Sequence, residues 1–281
     1  MAIRVCVLGS GSKGNCTLIQ SERTSLLVDA ARLGRKYIET QLESLGVALT
    51  DISGILATHV HGDHVDAGTT LQLCKKFDIP LYVHHDTFPD LLRRSRKFEP
   101  LEHAGLVRMF HCAPFAVGDL TVHPFPVPHG GDFGTDVVGR PVGYSVLYNN
   151  GGGVTRVGYT TDLGHVDAGI ESALMHSDVI VLECNHDVAL ERRSPRPRFL
   201  VEWVLGPRGH LSNDQCGEAL RRTVSRSGNR TRNVVLAHLS QDCNSPEQAL
   251  ATVRKHLCLV DAQNLSLHVA PQHEKSTAIQ L

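Results

Sequence analysis

Apolar residues along this chain gather into short, often β-branched runs that alternate with stretches of helical spacing. Ile3 to Leu8, Cys16 to Gln20, Leu26 to Asp29, Ile52 to Ala57, Leu81 to Val83, Leu120 to Val127, Pro141 to Tyr148, Val154 to Tyr159, Asp178 to Glu183, Asn233 to Ala237 and Leu265 to Val269 predict strands. Asn149 to Gly153 has the composition of a hairpin turn. Helical spacing covers Tyr37 to Leu45, Ala67 to Phe77, Thr87 to Lys97, a stretch capped by Ser212 or Asn213, and Pro246 to Leu257. No linker or low-complexity segment interrupts this alternation. It predicts a single α/β domain over residues 1–281.

Several of the strands end in a residue able to bind a metal ion: His59, His129, Asp162 and His238. Strand ends on one edge of an α/β fold converge on one place. The densest case is Thr58-His59-Val60-His61-Gly62-Asp63-His64, which places three imidazoles and a carboxylate on a strand-to-helix turn. His59 and His61, two apart, can face one ion from extended backbone. A kink at Gly62 would aim Asp63 and His64 at a second. Imidazole and carboxylate suit zinc first, with manganese and iron as rivals. His84, His85, Asp132 and His165 rank lower as ligands. The loop from Gly9 to Asn15 is either a tight turn or a presenter of N–H groups to an anion.

Composition narrows the class. The formal net charge of −1 gives no global field for nucleic acid or a membrane. No apolar run approaches the roughly 18 residues of a membrane span, and Met1 to Val5 lacks the pattern of a signal peptide. Eight cysteines without a CxxC pair read as reduced, buried thiols of a cytoplasmic protein. Hydrophobic content of 41% is enough for a core. Seventeen histidines are a high count that calls for a use. Basic segments at 93–97, 192–198 and 221–232 fit solvated helix faces, and also phosphate contacts.

The His-x-His-x-Asp-His pattern at 59–64 resembles the signature of the metallo-β-lactamase fold. Gly9 to Thr17 resembles the opening SGSxGN motif of the YycJ/WalJ-type nucleases. Glu183 to Asp187, Gly209 to Asn213 and Ala237 to Ser240 are similar to three further elements of that family. The resemblance runs from about residue 5 to 250. It implies a four-layer αββα sandwich with mixed sheets, and metal-dependent phosphodiesterase or exonuclease activity on DNA, with nucleic acid as the substrate partner. Two departures stand out: the loop from Gly130 to Arg140 is longer than usual, and Asn244-Ser245 replaces Asn-Asn.

Phosphodiester cleavage needs a nucleophile at neutral pH and relief of charge on phosphorus, and two divalent ions supply both. His59, His61 and His129 are assigned to one ion, Asp63, His64 and His238 to the other, and Asp162 to a bridge between them. Asp63 also orients the nucleophile. By resemblance to tRNA 3′-processing enzymes, His210 protonates the leaving oxygen or stabilises the phosphorane; the alternative is a supporting or helix-capping histidine. Ser10, Ser12, Asn15, Asn185 and His186 are the substrate-side candidates, with His186 reading equally well as a support behind the ligands. The rival activity is hydrolysis of a lactone, thioester or β-lactam on the same scaffold.

Overall fold

The structure, a computed structural model, describes residues 3–130, 139–228, 230–260, 262 and 264–281. Asp132 and most of the 130–140 loop lie outside these. Among the described residues, strands β1 (Arg4–Gly9), β2 (Cys16–Gln20), β3 (Ser25–Val28), β4 (Ile52–Leu56), β5 (Leu81–His84) and β6 (Val107–Phe110) form the first sheet. The second contains β7 (Phe115–Val117), β8 (Leu120–Pro126), β9 (Val142–Asn149), β10 (Val154–Thr160), β11 (Val179–Glu183), β12 (Asn233–Ala237) and β13 (Ser266–Val269). β14 (Ile279–Gln280) returns to the first sheet and pairs with β1. Both sheets are mixed. β1 to β3 pair antiparallel and β3 to β6 parallel, while β7 to β10 pair antiparallel and β10 to β13 parallel.

Alternation along the strands builds the layers. Val5 and Val7 of β1 meet Val179 and Val181 of β11 in a core between the sheets. Their neighbours Cys6 and Leu8 turn outward, under α1 (Arg35–Glu43) and α2 (Thr70–Phe77). α3 (Phe88–Arg94) and α4 (Glu99–His103) complete that face. Ile180 and Leu182 point the other way, where α5 (Ala168–Leu174) packs. α6 (Val188–Arg193) and α7 (Arg198–Val204) follow β11. α8 (Asn213–Arg226) and α9 (Pro246–Leu257) finish the second outer layer. Period-2 strands with both faces covered thus give the expected αββα sandwich. No helix among the described residues is long and apolar enough to cross a membrane.

Differences from the sequence reading have local causes. The helix expected over Thr87 to Lys97 breaks at Ser95, whose backbone is extended, and resumes at Glu99 with Pro100 in its first turn. The helix expected from Ala67 starts at Thr70, because Asp66 Oδ1 takes the Thr69 and Thr70 amides. All eight cysteines are free, but Cys112 and Cys258 are exposed rather than buried. Ser212 caps α8 in a reciprocal pair with Gln215. Ser245, at the departure from Asn-Asn, caps α9.

Candidate metal centre

β8, β10, β11 and β12 all run the same way, so their carboxyl ends share one edge of the second sheet. From that edge come His129, Asp162, Glu183 and His238. β3 and β4 of the first sheet deliver Asp29 and the Thr58–His64 turn. Two contacts tie that turn to the second sheet: the Tyr144 hydroxyl donates to the Ala57 carbonyl, and the Val142 amide donates to the Thr58 carbonyl at 3.0 Å.

His59, His61 and His129 bring three ring nitrogens together. His61 Nδ1 lies 2.9 Å from His59 Nε2 and 3.3 Å from His129 Nε2. Two nitrogens bound at ~2.05 Å in a tetrahedral shell would sit about 3.3 Å apart. The outer nitrogens are already used. His129 Nδ1–H donates to the Gly209 carbonyl (3.0 Å), and His59 Nδ1 meets the Thr58 hydroxyl (3.0 Å), whose own proton goes to Asp29. Both Nε2 atoms are therefore lone pairs, and His61 Nδ1 can give a proton to only one of them. Burial also depresses all three basicities, His61 to about 4 and His129 to about 3, which leaves neutral imidazoles. A cation is the species that satisfies three converging lone pairs.

Asp63, His64 and His238 form a second group able to hold an ion. His64 Nδ1 donates to Asp29 Oδ2 at 2.8 Å, so Nε2 turns to Asp162 Oδ2 (3.1 Å) and Asp63 Oδ2 (3.7 Å). His238 Nδ1 meets Glu183 Oε1 at 2.9 Å, and its Nε2 faces Asp63 Oδ2 at 3.7 Å. That Nε2 and Asp162 Oδ2 are buried without a hydrogen bond among the described residues. Lone pairs facing carboxylates repel unless a positive charge lies between them, either a proton or a metal cation. Burial opposes charging His238, but Asp162, Asp63 and Glu183 outweigh it and raise its basicity to about 10. Burial likewise pushes the Asp63 carboxyl up, and His64 and His238 hold it down at about 2. Asp162 stands between the groups. Its Oδ1 is 3.8 Å from His129 Nε2 and 3.6 Å from His238 Nδ1, and its Oδ2 faces His64.

His210 lies outside those two groups but stands with Asp162, Glu183 and His238 in a further cluster able to hold an ion. Its Nδ1 donates to Glu183 Oε1 at 2.8 Å, and the side chain lines the cleft above the ligands. Gly209 before it is packed so closely that a Cβ there would fall 2.2 Å from the Trp203 carbonyl. Only glycine lets the loop pass under α7 and present His210.

Of the substrate-side candidates, Ser12 and Asn185 line the cleft. The other three do not. Ser10 is buried and accepts the His238 amide at 2.9 Å. Asn15 is buried, bonded to Gly11 and to the Asp63 carbonyl, with its amide nitrogen 3.1 Å from His64 Nε2. His186 is buried behind the cleft wall. The first two shape the ligand loops from within, and none of the three reaches the cleft. Gly62 has no left-handed kink; a Cβ there would meet Arg32 Nη2 at 2.9 Å, so its role is close approach. His84, His85 and His165 join none of the ligand groups. Arg94 and Arg196 reach the cleft, but Arg221, Arg222 and Arg226 are tied to Glu218 and Glu171 elsewhere.

Sequence reasoning missed Asp29 and Glu183. Both are fully buried carboxylates, and each orients a histidine. Both also stand at strand ends, the feature that singled out Asp162.

The β-lactamase superfamily domain matches residues 26–239. The chain is 29% identical over 263 residues to exodeoxyribonuclease YycJ of Bacillus anthracis, covering 92% of this chain and 90% of the relative. It is 29% identical over 262 residues to exodeoxyribonuclease WalJ of Streptococcus pneumoniae, covering 93% and 90%. The metallo-β-lactamase-fold protein YhfI of Bacillus subtilis superposes over the full length of both chains with a TM-score of 0.64 at 17% identity. With the family match spanning the ligand turn, Asp162 and His238, this chain belongs to the β-lactamase superfamily.

Proposed function

We propose that the protein is a metal-dependent phosphodiesterase acting on nucleic acid, and that DNA ends are its substrate. The observation that carries this reading is the pairing of two ligand groups about Asp162 with a cleft whose lining includes Arg32, Arg94 and Arg196. The exodeoxyribonuclease names of the two relatives point the same way.

In this reading His59, His61 and His129 would hold one divalent ion and Asp63, His64 and His238 the other, with the Asp162 carboxylate placed between the two groups. When bound, the ions supply an activated water at neutral pH and offset charge building on phosphorus. The chain's own groups do the rest. Asp63, partly open to the cleft, accepts a hydrogen bond from the attacking water and aims it. Glu183 fixes the His210 ring with Nδ1–H engaged, so Nε2 faces the cleft and delivers a proton to the departing oxygen. The arginines hold the flanking phosphates, and Ser12 and Asn185 offer neutral contacts beside them.

The test is elemental analysis followed by incubation of zinc- and manganese-loaded protein with end-labelled DNA, end-labelled RNA, bis-p-nitrophenyl phosphate and a panel of lactone, thioester and β-lactam substrates. Two ions per chain and release of mononucleotides from DNA ends are expected. Turnover confined to the carbonyl substrates would overturn the reading, and one ion or none after supplementation would overturn the ligand assignment.

A further inference from the structure

The cleft is not uniformly polar. Its apolar lining is Leu200, Trp203 and Val204 of α7 together with Leu239, while the arginines, the ligand residues, His210 and the neutral polar groups of Ser12, Asn185 and Ser240 supply most of the remainder. Trp203 is the only tryptophan in a chain with 5% aromatic residues. It is half-buried, with its ring centroid 5.5 Å from that of His210 and 5.8 Å from that of His129. Phe199 sits one helical turn earlier, on the same face of α7, and is 59% exposed. An aromatic strip therefore runs from beside the ligands toward the surface.

Such a wall suits a ligand that is anionic on one side and flat and apolar on the other. The cavity of about 360 Å³ is also of a size usual for small-molecule sites. We infer that Trp203 is the stacking platform for the base next to the scissile phosphate of a DNA end. This deepens the nucleic-acid reading above and rests on it. Arg196 supplies the matching anchor for a phosphate. Its guanidinium is held by the fully buried Glu191 (3.1 Å) and by Asp242 (2.8 Å), so it enters the cleft already oriented. Packing against His129 and His210 is the competing role for Trp203, and the test must separate the two.

The unique tryptophan is its own probe. Metal-loaded protein is titrated with a short phosphorothioate oligodeoxynucleotide that resists hydrolysis, and with an abasic strand of equal length and charge. The expected result is quenching of tryptophan fluorescence by the base-bearing strand, and weaker binding with little quenching by the abasic one. W203A should raise KM on single-stranded DNA by roughly 5- to 100-fold, the range for one lost base–aromatic stack. It should retain its metal and lose far less in kcat than in KM, and W203F should restore most of the KM. Equal affinity and quenching for both strands would overturn the stacking role. Loss of turnover on DNA and on bis-p-nitrophenyl phosphate together with loss of metal would show that Trp203 only packs the histidines. Binding of neither strand while the small diester is still hydrolysed would overturn the nucleic-acid reading itself.

Discussion

Glu183 holds two histidines with one oxygen, and replacing it by Gln gives the sharpest test of how the site is built. Oε1 receives His210 Nδ1 at 2.8 Å and His238 Nδ1 at 2.9 Å. Oε2 receives the backbone amides of Leu163 at 3.1 Å and Leu211 at 2.9 Å. The carboxyl is fully buried; burial pushes it up, but His210 and His238 hold it down at about 2. In E183Q an NH2 group must replace one of these oxygens. In either orientation it confronts two N–H groups that have nowhere else to turn. A stranded buried donor costs about 1–3 kcal/mol, so the metal-free protein should lose roughly 2–6 kcal/mol. At about 2–4 °C per kcal/mol, its Tm should fall by roughly 4–24 °C. The imidazoles can escape the clash only by moving their protons to Nε2. For His238 that is the nitrogen facing Asp63, so the escape removes it as a ligand. Metal affinity should therefore fall too, by roughly 10- to 100-fold. Thermal unfolding with and without chelator gives the first number, and competition with a chromophoric chelator gives the second. A metal-free Tm within about 2 °C of the parent, with affinity changed less than about threefold, would refute the reasoning.

H210A should keep both ions and the fold yet lower kcat on DNA by roughly 10²–10⁴. The loss should shrink on bis-p-nitrophenyl phosphate, whose leaving group needs no proton; metal loss with equal inactivation on every substrate would make His210 a ligand instead. In chelator-treated protein, the unfolded chain takes up protons before His61 and His129 do, so their contribution to stability is intact above about pH 6.5 and is lost as pH falls through 4 and 3. His238 has the opposite sign: its contribution is present below about pH 6.5 and is lost as pH rises through 10, so urea midpoints should peak near neutrality, and a profile flat from acid to alkaline pH would contradict both signs. A thiol reagent should label Cys112 and Cys258 at once in the native protein and all eight cysteines after unfolding, without reductant.

The strands and the ligand turn were both legible in the sequence because each rests on a strong local signal, short apolar runs in one case and crowded histidines in the other, whereas the four-layer sandwich came only from the family resemblance. β6, β7 and β14 were not legible. Val107–Phe110 reads partly buried, exposed, exposed, buried, and such an edge strand exists through pairing with a neighbour rather than through its own composition. The basic segments were visible as charge but not as partners. Nothing local says that Arg222 will meet Glu171, 51 residues away, while Arg196 leans into the cleft.

The hardest part to read was the support behind the ligands. Leu26 to Asp29 and Asp178 to Glu183 read as strands, and the carboxylates that end them were not set beside Asp162. A carboxylate at a strand end is ordinarily solvated, and only the fold shows that Asp29 and Glu183 are sealed. Backbone geometry was hidden as well. Asp29, Asp162 and His238 have φ of 57°, 58° and 56°, a left-handed turn taken just after β3, β10 and β12. Asp and His tolerate it better than most residues, but each still costs on the order of 1 kcal/mol, and such strain persists only where the surroundings enforce it. Here the enforcement is visible. Thr58 gives both its amide and its hydroxyl to Asp29, and the His238 amide is held by Ser10. The same turns swing the side chains off the pleat and into the gap between the sheets. Strain, buried carboxylates and converging lone pairs therefore occupy one place, where two positive charges would relieve the electrostatic part of the cost.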